Sequence, residues 1–254
     1  MNKKTIQNRR SVESRNSFIA LKPVKPNISV FFPCYNDQHS IGELVENAFL
    51  VLKDITNKYE VIVVDDGSTD KSREILQRLA KKYKDLKLIF HAKNRGYGRA
   101  LESGFRNASY DLIFYTDGDG QYDVGELPVL VALMRSDVDF VNGIKLARKD
   151  PTYRIVIGNA YSLFVRWFFV LPITDVDCDF RLIRKNIIDK IKLTSKHGAI
   201  CVELVKKAQF LGARFREVSI HHYKRRWGES QFFRPKNIVF SLMELLVLWV
   251  KLMF

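Results

Sequence analysis

The sequence predicts an α/β protein built on a mostly parallel central sheet covered by helices. Three observations carry that expectation. Nearly continuous apolar runs of strand length recur along the chain, as buried parallel strands require. Segments with helical spacing separate them, giving a βαβα order. Several of the runs end in polar or acidic residues, at the edge where such sheets bind ligands.

Taken in order, NISVFFP reads as the first strand and IGELVENAFLVLKDI as a helix behind it. YEVIVVDD is a strand followed by the helical DKSREILQRLAKKY, and LKLIFH a strand followed by GYGRALESGFRNA. YDLIFYTD is a fourth strand, after which the pattern loosens. ELPVLVALMR reads as a helix, VDFVNGIK as a strand, and NAYSLFVRWFFV as part of a long helix. Arg154, Asn159, Ser162 and Arg166 interrupt that helix, which predicts packing on the domain rather than a bilayer span. VDCDFRLIRK, the helical ICVELVKKAQFLG and ARFREVSIHHYK complete the domain. In the terminal KNIVFSLMELLVLWVKLMF, the polar residues Asn237, Ser241, Glu244 and Lys251 fall on one narrow helical stripe beside a broad apolar face. Glu244 would sit near the centre of a bilayer, so the expectation is an amphipathic helix lying in the membrane interface. Docking of that helix on the protein's own core, or on a second copy in a homo-oligomer, is the alternative.

The 254 residues suit one large domain. Cys34, Cys178 and Cys201 are widely spaced and form no CxxC motif, which reads as a reduced, intracellular protein without a disulfide framework. The first 26 residues are polar and basic and lack the apolar centre of a secretory signal. Of the formal charge of +14, that tail carries +6 and residues 214–236 carry +5. Basic segments of this kind suit an anionic membrane surface or a nucleic acid. The acidic strand ends argue against nucleic acid, because they would repel a polyanion.

The run LIFYTDGDGQYD drives a strand into three carboxylates, Asp117, Asp119 and Asp123. Asp117, Asp119 and Gln121 offer hard oxygen ligands of the kind that Mg²⁺ or Mn²⁺ prefers. An EF-hand is excluded, since Tyr122 stands at the sixth loop position and Pro128 at the twelfth. In VIVVDDGSTD, Asp65 and Asp66 end a strand, where a carboxylate can accept hydrogen bonds from a base or ribose, and Asp70 reads as a helix cap. NRGYGRALESG lacks the third glycine of a dinucleotide fingerprint, with Leu101 in its place. Gly96 and Gly98 therefore serve a close backbone approach or a helix start.

PCYND, VVDDGSTD, NRGYGRA, DGDGQYD, DCDFRLIRK and RRWGES occur in this order over about residues 28–232. The ordered set resembles the family 2 glycosyltransferases of GT-A fold, and within them the dolichyl-phosphate mannose synthase and polyprenyl-phosphate glycosyltransferase branch. The resemblance implies a basic tail at 1–26, a GT-A domain at 27–235 and an interfacial helix at 236–254. It implies that Pro33, Tyr35, Asp37 and Asp66 hold the base and ribose of a UDP- or GDP-sugar, and that Asp117, Asp119 and Gln121 bind the divalent metal on its diphosphate. Arg148, Arg154 and Arg181 match acceptor-phosphate positions. Arg225 and Ser230 lie in HHYKRRWGES, which matches a loop closing over the diphosphate. The activity implied is metal-dependent, inverting transfer of one sugar to a polyprenyl phosphate at the cytoplasmic face of a membrane. A hydroxyl acceptor is the runner-up, with Asp177 or Asp179 as general base.

Overall fold

All the runs expected as strands pair into one sheet. The computed structural model describes residues 25–146, 152–227 and 235–253, without the side chains of 152–155, 159, 235–238 and 253. Its strands are β1 (Asn27–Cys34), β2 (Lys58–Asp65), β3 (Leu86–Phe90), β4 (Leu112–Thr116), β5 (Phe140–Leu146), β6 (Phe180–Arg184) and β7 (Phe215–His221). They lie in the order β3-β2-β1-β4-β6-β5-β7. β1 to β4 are mutually parallel, β5 and β7 are parallel to each other, and β6 runs antiparallel to both of its neighbours.

The helices are α1 (Ile41–Ile55), α2 (Ser72–Lys82), α3 (Tyr97–Asn107), α4 (Leu127–Leu133), α5 (Thr152–Phe169), α6 (Lys185–Ile188), α7 (Ala199–Phe210) and α8 (Pro235–Met253). Alternation along the strands sorts the core into two layers, one on each face of the sheet. Val30 and Phe32 of β1 join Leu44, Val45 and Leu76 of α1 and α2 on one face. Phe31, between them, joins Leu101 and Phe105 of α3 and the buried side of α7 on the other. Each such fully buried side chain stabilises the fold by roughly 1.5–3 kcal/mol.

The glycines before and within α3 serve the fold. A Cβ on Gly98 would lie 2.2 Å from the carbonyl oxygen of Ser195, and one on Gly96 would lie 2.7 Å from that of Lys196. The Gly98 N–H donates to the Lys196 carbonyl at 2.8 Å. The close backbone approach expected of these residues is thus made by the protein's own 195–196 segment.

The terminal helix α8 meets the rest of the domain through its polar stripe. Ser241, Leu245 and Leu248 are buried, and the Glu244 carboxylate accepts hydrogen bonds from the backbone N–H groups of Lys196 (3.1 Å) and His197 (3.0 Å). The polar stripe therefore faces the protein, where it satisfies loop donors that would otherwise be stranded. Val239, Phe240, Leu242, Met243, Leu246, Val247 and Val250 point outward. α5 also exposes Val156, Ile157, Leu163, Phe164 and Trp167, and Val170 just past its end is exposed too. The two helices meet where Phe168 stacks on Trp249 at 4.8 Å. Among the described residues no helix is long and apolar enough to cross a membrane.

Candidate active site

The chain leaves β1 toward β2 and β3 on one side, then returns to place β4 on the other. That reversal opens a crevice at the carboxyl ends of β1 and β4, the position where open α/β sheets bind ligands. Because β6 is antiparallel and Phe180 pairs with Thr116, the start of β6 reaches the same edge. Asp37 follows β1, Asp65 and Asp66 end β2, Asp117 and Asp119 follow β4, and Asp179 precedes β6. The edge thus gathers carboxylates from four strands.

Two loops are tied together at its rim. Asn36 adopts φ of 58°, a conformation that asparagine tolerates better than most residues. Its side-chain oxygen accepts from the Thr69 N–H at 2.8 Å, and its own N–H donates to Ser68 Oγ at 2.9 Å. Asp37 N–H donates to Ser72 Oγ, and Asp70 accepts from both Gln38 N–H and Ser72 N–H. Asp70, expected as a cap, lies one residue before the N-cap Lys71 and takes the first N–H of α2. Asn36, Asp37, Gln38, His39, Ser40, Thr69, Asp70 and Trp227 line a concavity of about 340 Å³ beside the acids. Trp227 stacks on His39 at 4.8 Å, so the segment after β7 forms part of its wall.

The acidic loop 117–121 is held from both sides. The Tyr97 hydroxyl donates to Asp117 Oδ1 at 2.7 Å. The Arg225 guanidinium pairs with Asp119 and also donates to Gln121 Oε1 at 3.4 Å. Tyr122 and His222 form an antiparallel bridge, and Tyr223 N–H donates to the Gln121 carbonyl at 2.8 Å. Burial raises the Asp117 carboxyl well above the usual carboxylate range, and the neighbouring charges of Asp179 and Asp119 add to it. This is a site whose own charges call for a cation. Two hard carboxylates fit Mg²⁺ or Mn²⁺ held jointly with a diphosphate, since Mg²⁺ commonly takes one or two protein carboxylates together with substrate phosphates. Among the described residues no group of three His, Cys, Asp or Glu side chains is arranged to hold an ion by itself. The other ligands would come from the diphosphate and water.

Asp37 gives the site a pH dependence. Burial pushes its carboxyl from 3.8 up to about 7, opposed by the Tyr35 N–H and reinforced by Asp119. The folded protein binds this proton more tightly than the unfolded chain, so the associated stability is fully present below about pH 3.8 and is lost as pH rises through about 7. In chelator, the Asp37→Asn variant is expected to lose less thermal stability than the parent between pH 5 and pH 8. Equal losses in melts across that series would show that Asp37 does not titrate there.

Several of the expected site residues are brought together. Pro33, Tyr35, Asp37, Asp117, Asp119 and Arg225 all lie at this edge. Others are engaged with the protein's own groups. Arg181 is fully buried; its guanidinium donates to Asn142 Oδ1 at 2.8 Å, to the Tyr115 hydroxyl at 2.7 Å and to the Val176 carbonyl, and lies 3.5 Å from Asp179. It supports the floor of the site by tying β6 to β4, β5 and the 175–179 segment. Asp66 accepts from His91 Nδ1 or shares its proton at 2.6 Å and takes the N–H groups of Arg95 and Gly96, both at 2.9 Å. Its carboxylate therefore holds the 91–96 segment instead of presenting itself to a base. Gln121 turns its amide to the Tyr223 carbonyl at 3.0 Å and to Arg225, acting as a strut beside the acids rather than as a displayed ligand. Asp123 accepts from the Gly125 N–H as the cap of a 3₁₀ turn, Val124–Glu126. Arg148 and Ser230 lie outside the described residues, and Arg154 is described only as a member of the first turn of α5.

Tyr97 was not anticipated, although its setting between Gly96 and Gly98 at a helix start is visible in the sequence. The aromatic wall formed by His39 and Trp227 joins residues far apart in the chain and has no local signature.

The family model described as Glycosyl transferase family 2 matches residues 29–192. The undecaprenyl-phosphate 4-deoxy-4-formamido-L-arabinose transferase of Salmonella choleraesuis is 30% identical over 224 residues, spanning 87% of this chain and 67% of that protein. Its namesake from Yersinia enterocolitica is 29% identical over 219 residues, spanning 85% of this chain and 66% of that protein. Among solved structures, glucosyl-3-phosphoglycerate synthase from Mycobacterium tuberculosis, in complex with Mn²⁺, UDP and glucosyl-3-phosphoglycerate, superposes with a TM-score of 0.66 at 16% identity, covering 89% of this chain and 79% of that one. A mannosyltransferase from Pyrobaculum calidifontis in complex with GDP-Man and Mn²⁺ gives 0.64 at 19% identity, covering 89% and 65%. At such identities the structural likeness speaks for the fold alone.

Proposed function

The chain belongs to glycosyltransferase family 2, and from that membership we propose that it transfers one sugar from a UDP- or GDP-sugar to a polyprenyl phosphate at a membrane surface, inverting the anomeric centre. The observation that carries this reading is the pair Asp117 and Asp119 at the switch point of the sheet, with a mobile-length cationic side chain, Arg225, on Asp119. The relatives' names supply the acceptor class.

A divalent cation held by Asp117 and Asp119 would neutralise charge on the departing diphosphate. The remaining work falls to the chain. The loops at Asp37 and Asn36 would form the donor's nucleoside pocket, with His39 and Trp227 as an apolar wall. Arg225, which compensates Asp119 here, would add a second positive charge to the leaving group. An oxygen of the acceptor phosphate forms the new bond to the anomeric carbon while the bond from that carbon to the nucleoside diphosphate breaks. That oxygen is already anionic near neutral pH, so alignment matters more than a general base. Asp179 is poorly suited to the base's role, because Arg181, the Tyr115 hydroxyl at 3.2 Å and the Cys201 thiol at 3.2 Å already engage it.

The outward apolar faces of α5 and α8 support the membrane placement. Contiguous apolar surface of this extent on helices, beside a basic segment, suits partial burial in a headgroup and acyl boundary.

The test is transfer of labelled sugar from a panel of UDP- and GDP-sugars into an organic-extractable lipid, with short polyprenyl phosphate and Mg²⁺, Mn²⁺ or chelator. Metal-dependent label in the lipid phase is expected from one donor. Label appearing only in saccharide or protein acceptors would overturn the polyprenyl-phosphate assignment.

A further inference from the structure

A second concavity lies away from the acids. Arg95, Arg99, Glu102, Arg106, Lys192, Leu193, Thr194 and Lys196 line a cleft of about 630 Å³ between α3 and the 192–196 segment. On α3, successive residues turn by about 100°, so Arg99, Glu102 and Arg106 project from the side opposite Tyr97, which faces Asp117. The cleft is thus a separate place from the site described above.

Its construction is fixed and its charge is one-sided. Gly98 seats α3 directly on the backbone of 195–196. The buried Glu203 carboxylate takes the N–H groups of Thr194 and Ser195, at distances of 2.8 to 3.0 Å, and Glu244 of α8 takes those of Lys196 and His197. Two carboxylates therefore hold the wall by its backbone and leave its lysine side chains free to project. Glu102 pairs with Arg99 at 2.5 Å and with Arg106 at 2.8 Å, which orients both guanidinium groups along the rim. Among the described residues no carboxylate lies in ion-pair reach of the side chains of Arg95, Lys192 or Lys196. Five cations thus face one carboxylate around a single hollow.

We propose that this cleft binds a phosphate group, a second anion site independent of sugar transfer. Guanidinium forks and lysine ammonium groups converging on one hollow match the several oxygens of a phosphate. The wall is bonded to α8, and His197 stacks at 5.8 Å on Phe240 of that helix's outward face. That continuity makes the headgroup of an anionic phospholipid the nearer source, with a soluble phosphate compound as the other.

The experiment uses the full chain, the pair variant Lys192→Gln/Lys196→Gln, and the control pair Lys81→Gln/Lys84→Gln on an exposed face elsewhere. Sedimentation with phosphatidylcholine vesicles, with and without phosphatidylglycerol, reads the lipid arm. Calorimetric titration with inorganic phosphate and pyrophosphate reads the soluble arm. The cleft variant is expected to bind the anionic vesicles about 25-fold more weakly than the parent, from roughly fivefold per basic side chain at an anionic surface, while the control stays within a few-fold. A loss confined to vesicles assigns the headgroup; a loss of pyrophosphate or phosphate binding assigns a soluble ligand. Equal losses in both pairs, or no difference from the parent in either arm, would overturn the proposal. If the chain bound no vesicle at all, the membrane reading would fail, and the soluble arm would still decide this one. Unaltered melting of the variants and unaltered donor turnover exclude a folding defect.

Discussion

Replacing Asp119 by alanine is expected to reduce sugar transfer by about 10²–10³-fold or more, the scale set by removing an electrostatic group that acts on a leaving charge. The substitution withdraws one of two carboxylates placed for the cation and releases Arg225 from its partner. Folding should survive it. Asp119 adds to the charge repulsion felt by both Asp117 and Asp37, so the variant's melting temperature in chelator should equal or exceed the parent's. Nucleotide binding should also lose its response to Mn²⁺. Arg225→Ala is the companion variant, expected to retain metal-responsive nucleotide binding while slowing transfer. Transfer by Asp119→Ala within tenfold of the parent would remove this carboxylate from the chemistry.

The second large effect is structural. Arg181→Met is expected to destabilise the protein by about 3–5 kcal/mol, the usual cost of leaving one member of a buried ion pair uncompensated. For a domain of this size that corresponds to a fall in melting temperature of roughly 10 °C. The guanidinium is fully buried and serves Asn142, Tyr115, the Val176 carbonyl and Asp179 at once. Lysine should not rescue it, because one ammonium cannot span partners on three sides. Adding Asp179→Asn to Arg181→Met should recover part of the loss by removing the orphaned charge. A melting temperature within a degree or two of the parent's would contradict this account. The two substitutions also separate two kinds of charged residue: the proposed role of Asp119 is toward a ligand, whereas Arg181 is bonded to the fold around the site.

That contrast marks where sequence reading succeeds. The strands and helices were legible because apolar period and length are local properties; IGELVENAFLVLKDI coincides with α1 from end to end. Asp117 and Asp119 were legible because a strand that ends in carboxylates carries its own position in the sheet. The burial of Arg181 was not legible, because it depends on which strand lies beside it, and the antiparallel setting of β6 is a tertiary fact. The bonds of Asp66 and Gln121 were hidden for a related reason: their partners, His91 and Tyr223, lie 25 and 102 residues away. In the terminal helix, the spacing of Ser241 and Glu244 revealed the stripe but not its direction, which is decided by the unsatisfied N–H groups of Lys196 and His197.

The bond between Arg225 and Asp119 spans 106 residues, and it sets an order of events at the ribosome. Chains emerge from the N-terminus at about 5–20 residues per second, so Asp119 is made roughly 5–20 s before its cationic partner. During that interval Asp119 has no arginine beside it. A nascent chain halted before residue 225 would therefore display this acid without its clasp, and the segment made after the last strand, β7, is the one that supplies it.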